Sequence, residues 1–170
     1  MAERYSGIND PLRNALELDG LAVQKHAQRI DSLRTTYPHS ILFREDVPLA
    51  TCAMIAFGFH RIEAYTNIAL QGIFAGRRFM DWMLTSHLDE LIDPASGALA
   101  VYFKDQEWKH IGLVNEPGRV LSKWGEFPVY EHALFEVPHS YGNNLYYCAM
   151  PSDPFALFRT YAASEGANVD

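Results

Sequence analysis

Cys52 and His110 are the residues of this chain whose types and order best fit nucleophilic chemistry. Cys52 follows Thr51, a residue type that favours helix N-caps, and it opens the apolar run CAMIAF. A thiol attacks as thiolate, and the free N–H groups at a helix start favour that anion, so we expect a lowered pKa for Cys52. His110 opens the strand-like run HIGLV, and an imidazole held on a strand can accept the thiol proton and return it to a leaving amine. Together the two residues predict acyl transfer through an acyl-cysteine.

Plainer roles remain open for both residues. Free cysteine is among the most buried residue types, so Cys52 also fits a small apolar core position. A histidine between apolar neighbours, such as His110, is often a hydrogen-bonded core residue. The second cysteine, Cys148, lies in the aromatic run LYYCA, which indicates a structural place inside a strand.

The elements that would position these residues can be predicted from apolar spacing and turn signals. Three helices are expected before residue 97, from Asp10 (N-cap candidate, with Pro11 at the first helical position) to about residue 35, from Cys52 to Gly58, and from residue 77 to 92. Beyond Gly97, short runs rich in Val, Tyr and Phe alternate with turn-like segments, which predicts four or five antiparallel strands in a meander. A last helix is expected to start at Asp153 and Pro154. Helices followed by a sheet define the α+β class.

Composition limits the kinds of protein this chain can be. Its 170 residues, 48% of them hydrophobic, favour one domain over residues 1–170 with a sizeable core. The formal charge of −7 provides no basic field for nucleic acid or an anionic membrane surface. No apolar run approaches the ~20 residues of a membrane span, and the first residues lack the pattern of a signal peptide, so we expect a cytoplasmic protein with reduced cysteines.

The motifs around Cys52 and His110 resemble the papain-like cysteine peptidases and amidases of the NlpC and CHAP type. In that group a cysteine begins a buried helix, a strand similar to GALAVYF (residues 97–103) follows, and a histidine opens the next strand in a pattern similar to KHIGLV (residues 109–114). The resemblance spans residues 48–150, the catalytic-type core. Residues 1–47 form an N-terminal helix and connector, and residues 151–170 form a C-terminal helix and tail. The resemblance implies a papain-like fold with N-terminal helices packed on an antiparallel sheet.

The resemblance also implies a third catalytic member that orients His110. Ser122 occupies the position of this third member, near the end of the third strand. His132 is the candidate by its chemistry, provided that its strand lies beside the third strand. His132 is equally compatible with an ordinary hydrogen-bonded strand residue. If residues 109–123 form a hairpin, side-chain alternation predicts that Ser122 faces the site and that Lys123 faces away from it.

Three functions remain open at this stage. The first is a cysteine-dependent hydrolase or acyltransferase acting on an amide-like or thioester carbonyl of a peptide or other amide-containing substrate, with no cofactor and no metal. The second is a catalytically inactive papain-like fold that binds a partner protein or peptide. The third is a structural protein in which Cys52 is an ordinary core residue. Neither the substrate nor the oligomeric state follows from the residues.

Overall fold

One antiparallel sheet runs through the protein, and helices cover both of its faces. The computed structural model describes residues 3–5, 7, 10–18 and 20–169. The strands are β1 (Glu3–Arg4), β2 (Leu42–Glu45), β3 (Glu90–Leu91), β4 (Leu99–Lys104), β5 (Glu107–Glu116), β6 (Arg119–Lys123), β7 (Val129–Ala133) and β8 (Asn144–Cys148). The helices are α1 (Asp10–Ala15), α2 (Val23–Leu33), α3 (Cys52–Ala56), α4 (Glu63–Ala69), α5 (Arg77–Ser86) and α6 (Pro154–Ser164). The α+β class is therefore confirmed.

The strand order of the sheet is β1-β8-β4-β5-β6-β7-β2, and β3 pairs with β8. The four strands from β4 to β7 form the predicted meander, because each is joined to the next by a short connection. β8 returns to pair with β4, so that the predicted fifth strand lies beside the first. Among the described strands, β2 pairs only with β7 and forms the far edge of the sheet.

Each face of the sheet carries its own apolar core. We call the face covered by α3, α4, α5 and α6 the front face, and the face covered by α1 and α2 the back face. Because side chains alternate along a strand, Val101 belongs to the front core and its neighbour Tyr102 to the back core. Ile111 of β5 is likewise buried in the front core.

The predicted helix boundaries are partly confirmed. Thr51 caps α3, since its hydroxyl accepts a hydrogen bond from the Met54 N–H at 3.1 Å. Gly58, at φ +74°, follows the end of that helix in the left-handed conformation that glycine tolerates best. Asp153 caps α6 in the same way, by accepting from the Ala156 N–H at 2.8 Å, and Pro154 occupies the first helical position.

Two helix predictions were too long, and helix α4 and strands β1, β2 and β3 were not predicted. The expected helix from Asp10 to about residue 35 is two helices, α1 and α2, separated by a segment that contains Gly20 at φ +80°. The helix expected to reach residue 92 ends at Ser86, because residues 90 and 91 pair with β8 instead. The edge strand β2 was taken for a connector, since its extended conformation depends on pairing with the distant β7.

Candidate functional site

Cys52 is the first residue of α3 and is only partly buried, beneath the front face of the sheet. The helix starts here because Thr51 provides two anchors. Its hydroxyl caps the helix and also donates to the Ala75 carbonyl, so the start of α3 is tied to the loop before α5. The Thr51 N–H lies 3.4 Å from the Met54 sulfur, which satisfies a further free donor of this helix end. The cysteine therefore occupies a fixed position against the sheet.

The Cys52 thiol experiences opposing influences. Burial raises the pKa of Cys52, whereas backbone hydrogen bonds from Ile111, Ala53 and Cys52 itself favour the thiolate. The positive charge of Lys123 acts in the same direction as those backbone groups. Burial is the largest of these effects, so the expectation of a lowered pKa for Cys52 was wrong. α3 has only five residues, and its helix dipole is correspondingly small.

Lys123 is the charged side chain that the sheet presents towards Cys52. Only 1% of its surface is exposed, and its ammonium nitrogen donates to the Phe127 carbonyl at 2.7 Å. Burial lowers the pKa of Lys123, and the negative charges of Asp46, Cys52 and Glu126 oppose that shift. A lysine whose pKa falls in this way can act as a proton acceptor when it is neutral. The prediction that Lys123 faces away from Cys52 was therefore wrong.

His110 lies on the opposite side of the sheet from Cys52. Its ring stacks on Tyr141 with centroids 4.0 Å apart and lies 5.6 Å from the ring of Tyr102, a residue of the back core. The next residue, Ile111, points to the front face and packs near α3. Burial lowers the pKa of His110 well below its usual range, with a smaller contribution from His132 in the same direction. The expected approach of the His110 ring to the Cys52 sulfur is therefore absent.

Regular alternation along β5 places His110 on the back face, and a β-bulge lies directly before it. His110 pairs with Tyr102, but Trp108 pairs with Phe103, so Lys109 is an extra residue in β5. Ile111 points to the front core and His110, one residue before it, to the back. The bulge changes only the face of the residue that precedes it, so that Trp108 also contacts the front core. The sequence gives no clear signal of this bulge, because the extra residue becomes visible only in the register with β4.

Ser122 and His132 do lie together, on the same back face as His110. The Ser122 hydroxyl and His132 Nε2 are 2.8 Å apart, and the Trp124 indole N–H donates to the same hydroxyl at 3.1 Å. His132 Nδ1 lies 2.8 Å from the Ala133 carbonyl, and burial lowers the pKa of His132 to about 4. Ser122 and His110 therefore lie on the same face of the sheet, as expected. Cys52, however, lies on the other face.

The structure thus divides the residues predicted for one site into two groups. Cys52 lies on the front with Lys123, whereas His110, Ser122 and His132 lie on the back. Lys123 was missed as a partner, although alternation in the run SKWG does separate it from Ser122. What the sequence could not show was which of the two faces α3 covers.

Comparison of the chain with protein-family models, with curated proteins and with solved structures found no match in any of the three. Within the described residues, no three His, Cys, Asp or Glu side chains form a group able to hold a metal ion. None of the helices in that part of the chain has the length and apolar character that crossing a membrane requires.

Proposed function

We propose that this protein is a cysteine-dependent hydrolase or acyltransferase of papain-like type, with Cys52 as nucleophile and Lys123 as its proton acceptor. The observation that carries the proposal is the convergence of three kinds of group on the front face. These are the thiol of a partly exposed residue at a capped helix start, backbone N–H groups directed at its sulfur, and a buried lysine with a lowered pKa.

The chemistry follows from these groups. Neutral Lys123 accepts the proton of the Cys52 thiol, and the thiolate attacks the carbonyl carbon of an amide or thioester. The C–N or C–S bond then breaks, and Lys123 returns its proton to the leaving group, which leaves an acyl-cysteine. Attack by water, or by another nucleophile, releases the acyl group and restores the thiol. The backbone N–H groups of Cys52 and Ala53 are the candidate donors to the oxyanion.

Lys123 suits this role because of its surroundings. Its hydrogen bond to the Phe127 carbonyl fixes the nitrogen and, in the neutral amine, leaves the lone pair free for the thiol proton. Burial brings the pKa values of the two partners towards each other, since it raises that of Cys52 and lowers that of Lys123. Transfer of the thiol proton to Lys123 is therefore less favourable than between the same groups in water, whereas the return of that proton from Lys123 to the leaving group is more favourable.

A second candidate function is a papain-like module that binds a protein or peptide without catalysis. Two observations favour it. Burial raises the pKa of Cys52, which reduces the thiolate at neutral pH, and the one histidine expected to activate the thiol faces the back of the sheet. In this case the surface beside α3 would bind a protein or peptide ligand, and Cys52 would be unreactive.

Acylation by p-nitrophenyl acetate separates the two functions. We expect one acetyl group on Cys52, detected by peptide mass spectrometry, to form faster in the folded protein than in the urea-unfolded chain, because only the fold supplies the base. Lys123→Met should lower the rate in the folded state to that of the unfolded chain or below.

Cys148→Ser is the matched control, since it removes the other thiol and should leave the acetylation of Cys52 unchanged. Acetylation of Cys52 that is slower in the folded protein than in the unfolded chain would exclude the enzyme and leave the binding module.

A further inference from the structure

A cavity of about 500 Å³ opens next to the start of α3. Its walls come from the loop before α3, from α3 itself and from α4 with the segment that follows it. The residues that matter here are Val47, Leu49, Thr51, Met54, Leu70 and Phe74. Thr51, the residue before the proposed nucleophile Cys52, forms part of the wall. A volume in this range is typical of pockets that hold a specific ligand.

The lining is apolar and unusually exposed. Three of its side chains are large and open to solvent, with exposed fractions of 101% for Leu49, 82% for Leu70 and 53% for Phe74. Large apolar side chains gathered around one concavity favour an apolar occupant. None of the residues that the described chain contributes to the lining is Asp, Glu, Lys or Arg, and most of them are apolar, so the lining favours an uncharged, apolar occupant.

An open strand edge lies beside this cavity. β2 pairs with β7 on one side, and no strand of the described chain pairs with its other side. The strand ends at Glu45, whose carboxylate lies 4.0 Å from Nε2 of His60, a residue of the cavity wall. Two residues further on, Val47 begins the loop that forms the rim. Free backbone N–H and C=O groups therefore lead directly to an apolar pocket.

We infer that this surface binds an extended peptide segment, which pairs with the open edge of β2 and inserts one large apolar side chain, such as leucine or phenylalanine, into the cavity. The inference rests on the proposed function in taking a peptide as the substrate, and it assigns the cavity as the pocket that selects it. Main-chain pairing at a sheet edge supplies affinity in such complexes, and side-chain pockets supply specificity. An isolated acyl chain would use the cavity but not the edge of β2.

NMR titration of the full chain carrying Cys52→Ala tests this, because the variant cannot consume its ligand. The probes are two short acetylated peptide amides of glycine and serine that differ only in a central leucine or serine, and N-octanoylglycine amide. We expect the leucine peptide to shift signals of Leu49 and Leu70 and to slow hydrogen exchange of amides in β2. The serine peptide should bind at least about tenfold more weakly, since it buries no large apolar side chain.

Leu70→Asp and Ile92→Asp form a matched pair, because both leucine and isoleucine are about four-fifths exposed, at 82% and 80%, and only Leu70 lines the cavity. Leu70→Asp should weaken binding of the leucine peptide by about tenfold or more. Ile92→Asp should change it by less than about twofold.

Equal binding of the leucine and serine peptides, or shifts confined to another surface, would overturn the inference. The inference would also be overturned if N-octanoylglycine amide bound more tightly than the leucine peptide without slowing hydrogen exchange of the β2 amides. The occupant of the cavity would then be an acyl chain and not a peptide. Peptide binding as expected, combined with an unreactive Cys52 in the wild-type chain, would instead reject the proposed enzyme and retain this pocket.

Discussion

The reactivity of Cys52 depends on a balance between burial and stabilisation of its thiolate. Burial raises the pKa of the thiol, and the backbone N–H groups and Lys123 lower it again. Cys148 has no comparable compensation. Burial, together with smaller contributions from the nearby carboxylates Glu90 and Asp89, raises its pKa to about 11. The two thiols of the chain therefore differ in electrostatic environment as well as in accessibility.

We predict that iodoacetamide labels Cys52 well before Cys148 at a pH near 8.5, the ordinary pKa of a free thiol. Cys52 is partly exposed and Lys123 favours its thiolate, whereas Cys148 is 6% exposed and nearby carboxylates oppose the ionisation of its thiol. Peptide mass spectrometry at several times gives the two rates separately, and the urea-unfolded chain, in which both thiols are free, is the control. Equal labelling rates in the folded protein would contradict this difference.

Gly112 matters at the scale of the element, because it lets β5 and β6 approach closely. A Cβ atom at this position would lie 2.4 Å from Cγ1 of Val120, 2.9 Å from the Leu121 carbonyl oxygen and 2.9 Å from Cβ of Ser122. No side chain fits at these distances without displacing backbone. The glycine of the HIGLV motif is thus explained by strand packing on the back face, independently of any catalytic role.

Gly112→Ala should accordingly lower the free energy of unfolding by about 3 kcal/mol or more, since the strands must move apart. Gly118→Ala, in the turn between the same strands, is the matched control. At Gly118 a Cβ meets no atom within 4 Å, and the cost is confined to its positive φ of 78°, about 1 kcal/mol. Urea denaturation measures both, and similar losses for the two variants would show that the close contact at Gly112 relaxes freely.

The elements of the fold were largely predictable, whereas the pairing that determines the site was not. Local signals sufficed for the capped starts of α3 and α6 and for the strands of the meander, because caps, turns and alternation act within a few residues. The edge strand β2 depends on its pairing with β7, far along the chain. The face of the sheet that α3 covers likewise depends on tertiary packing, so an otherwise correct strand prediction gave the wrong partner for Cys52.

At the scale of the whole molecule, the sheet separates a thiol site on the front from a layer of buried histidines on the back. His26 is 1% exposed and its Nδ1 lies 2.7 Å from the Tyr130 hydroxyl, while His132 pairs with Ser122. Burial lowers the pKa of His26 and of His132 to about 4, and that of His110 also falls. All three are therefore neutral in the folded protein at pH 7.

Folding stability should fall as the pH drops from about 6.5 towards 4. An unfolded histidine takes up a proton near pH 6.5, whereas the folded protein resists protonation, so lowering the pH favours the unfolded state. The free energy of unfolding should decrease between pH 7.5 and pH 5.5, and we predict that this decrease is about 1 kcal/mol smaller in His26→Gln than in the wild-type protein. Urea denaturation at the two pH values measures this, and an unchanged loss in the variant would show that His26 is not buried as described.

The central claim is that Cys52 is coupled to Lys123 and not to His110. The most direct test is the rate of Cys52 alkylation as a function of pH in the wild-type protein, Lys123→Met and His110→Gln, with circular dichroism confirming that each variant is folded. Lys123→Met should shift the profile to higher pH, because the positive charge that favours the thiolate is lost and burial acts alone. His110→Gln should leave the profile unchanged. A shift in His110→Gln with none in Lys123→Met would contradict the claim and would place the active histidine beside the thiol.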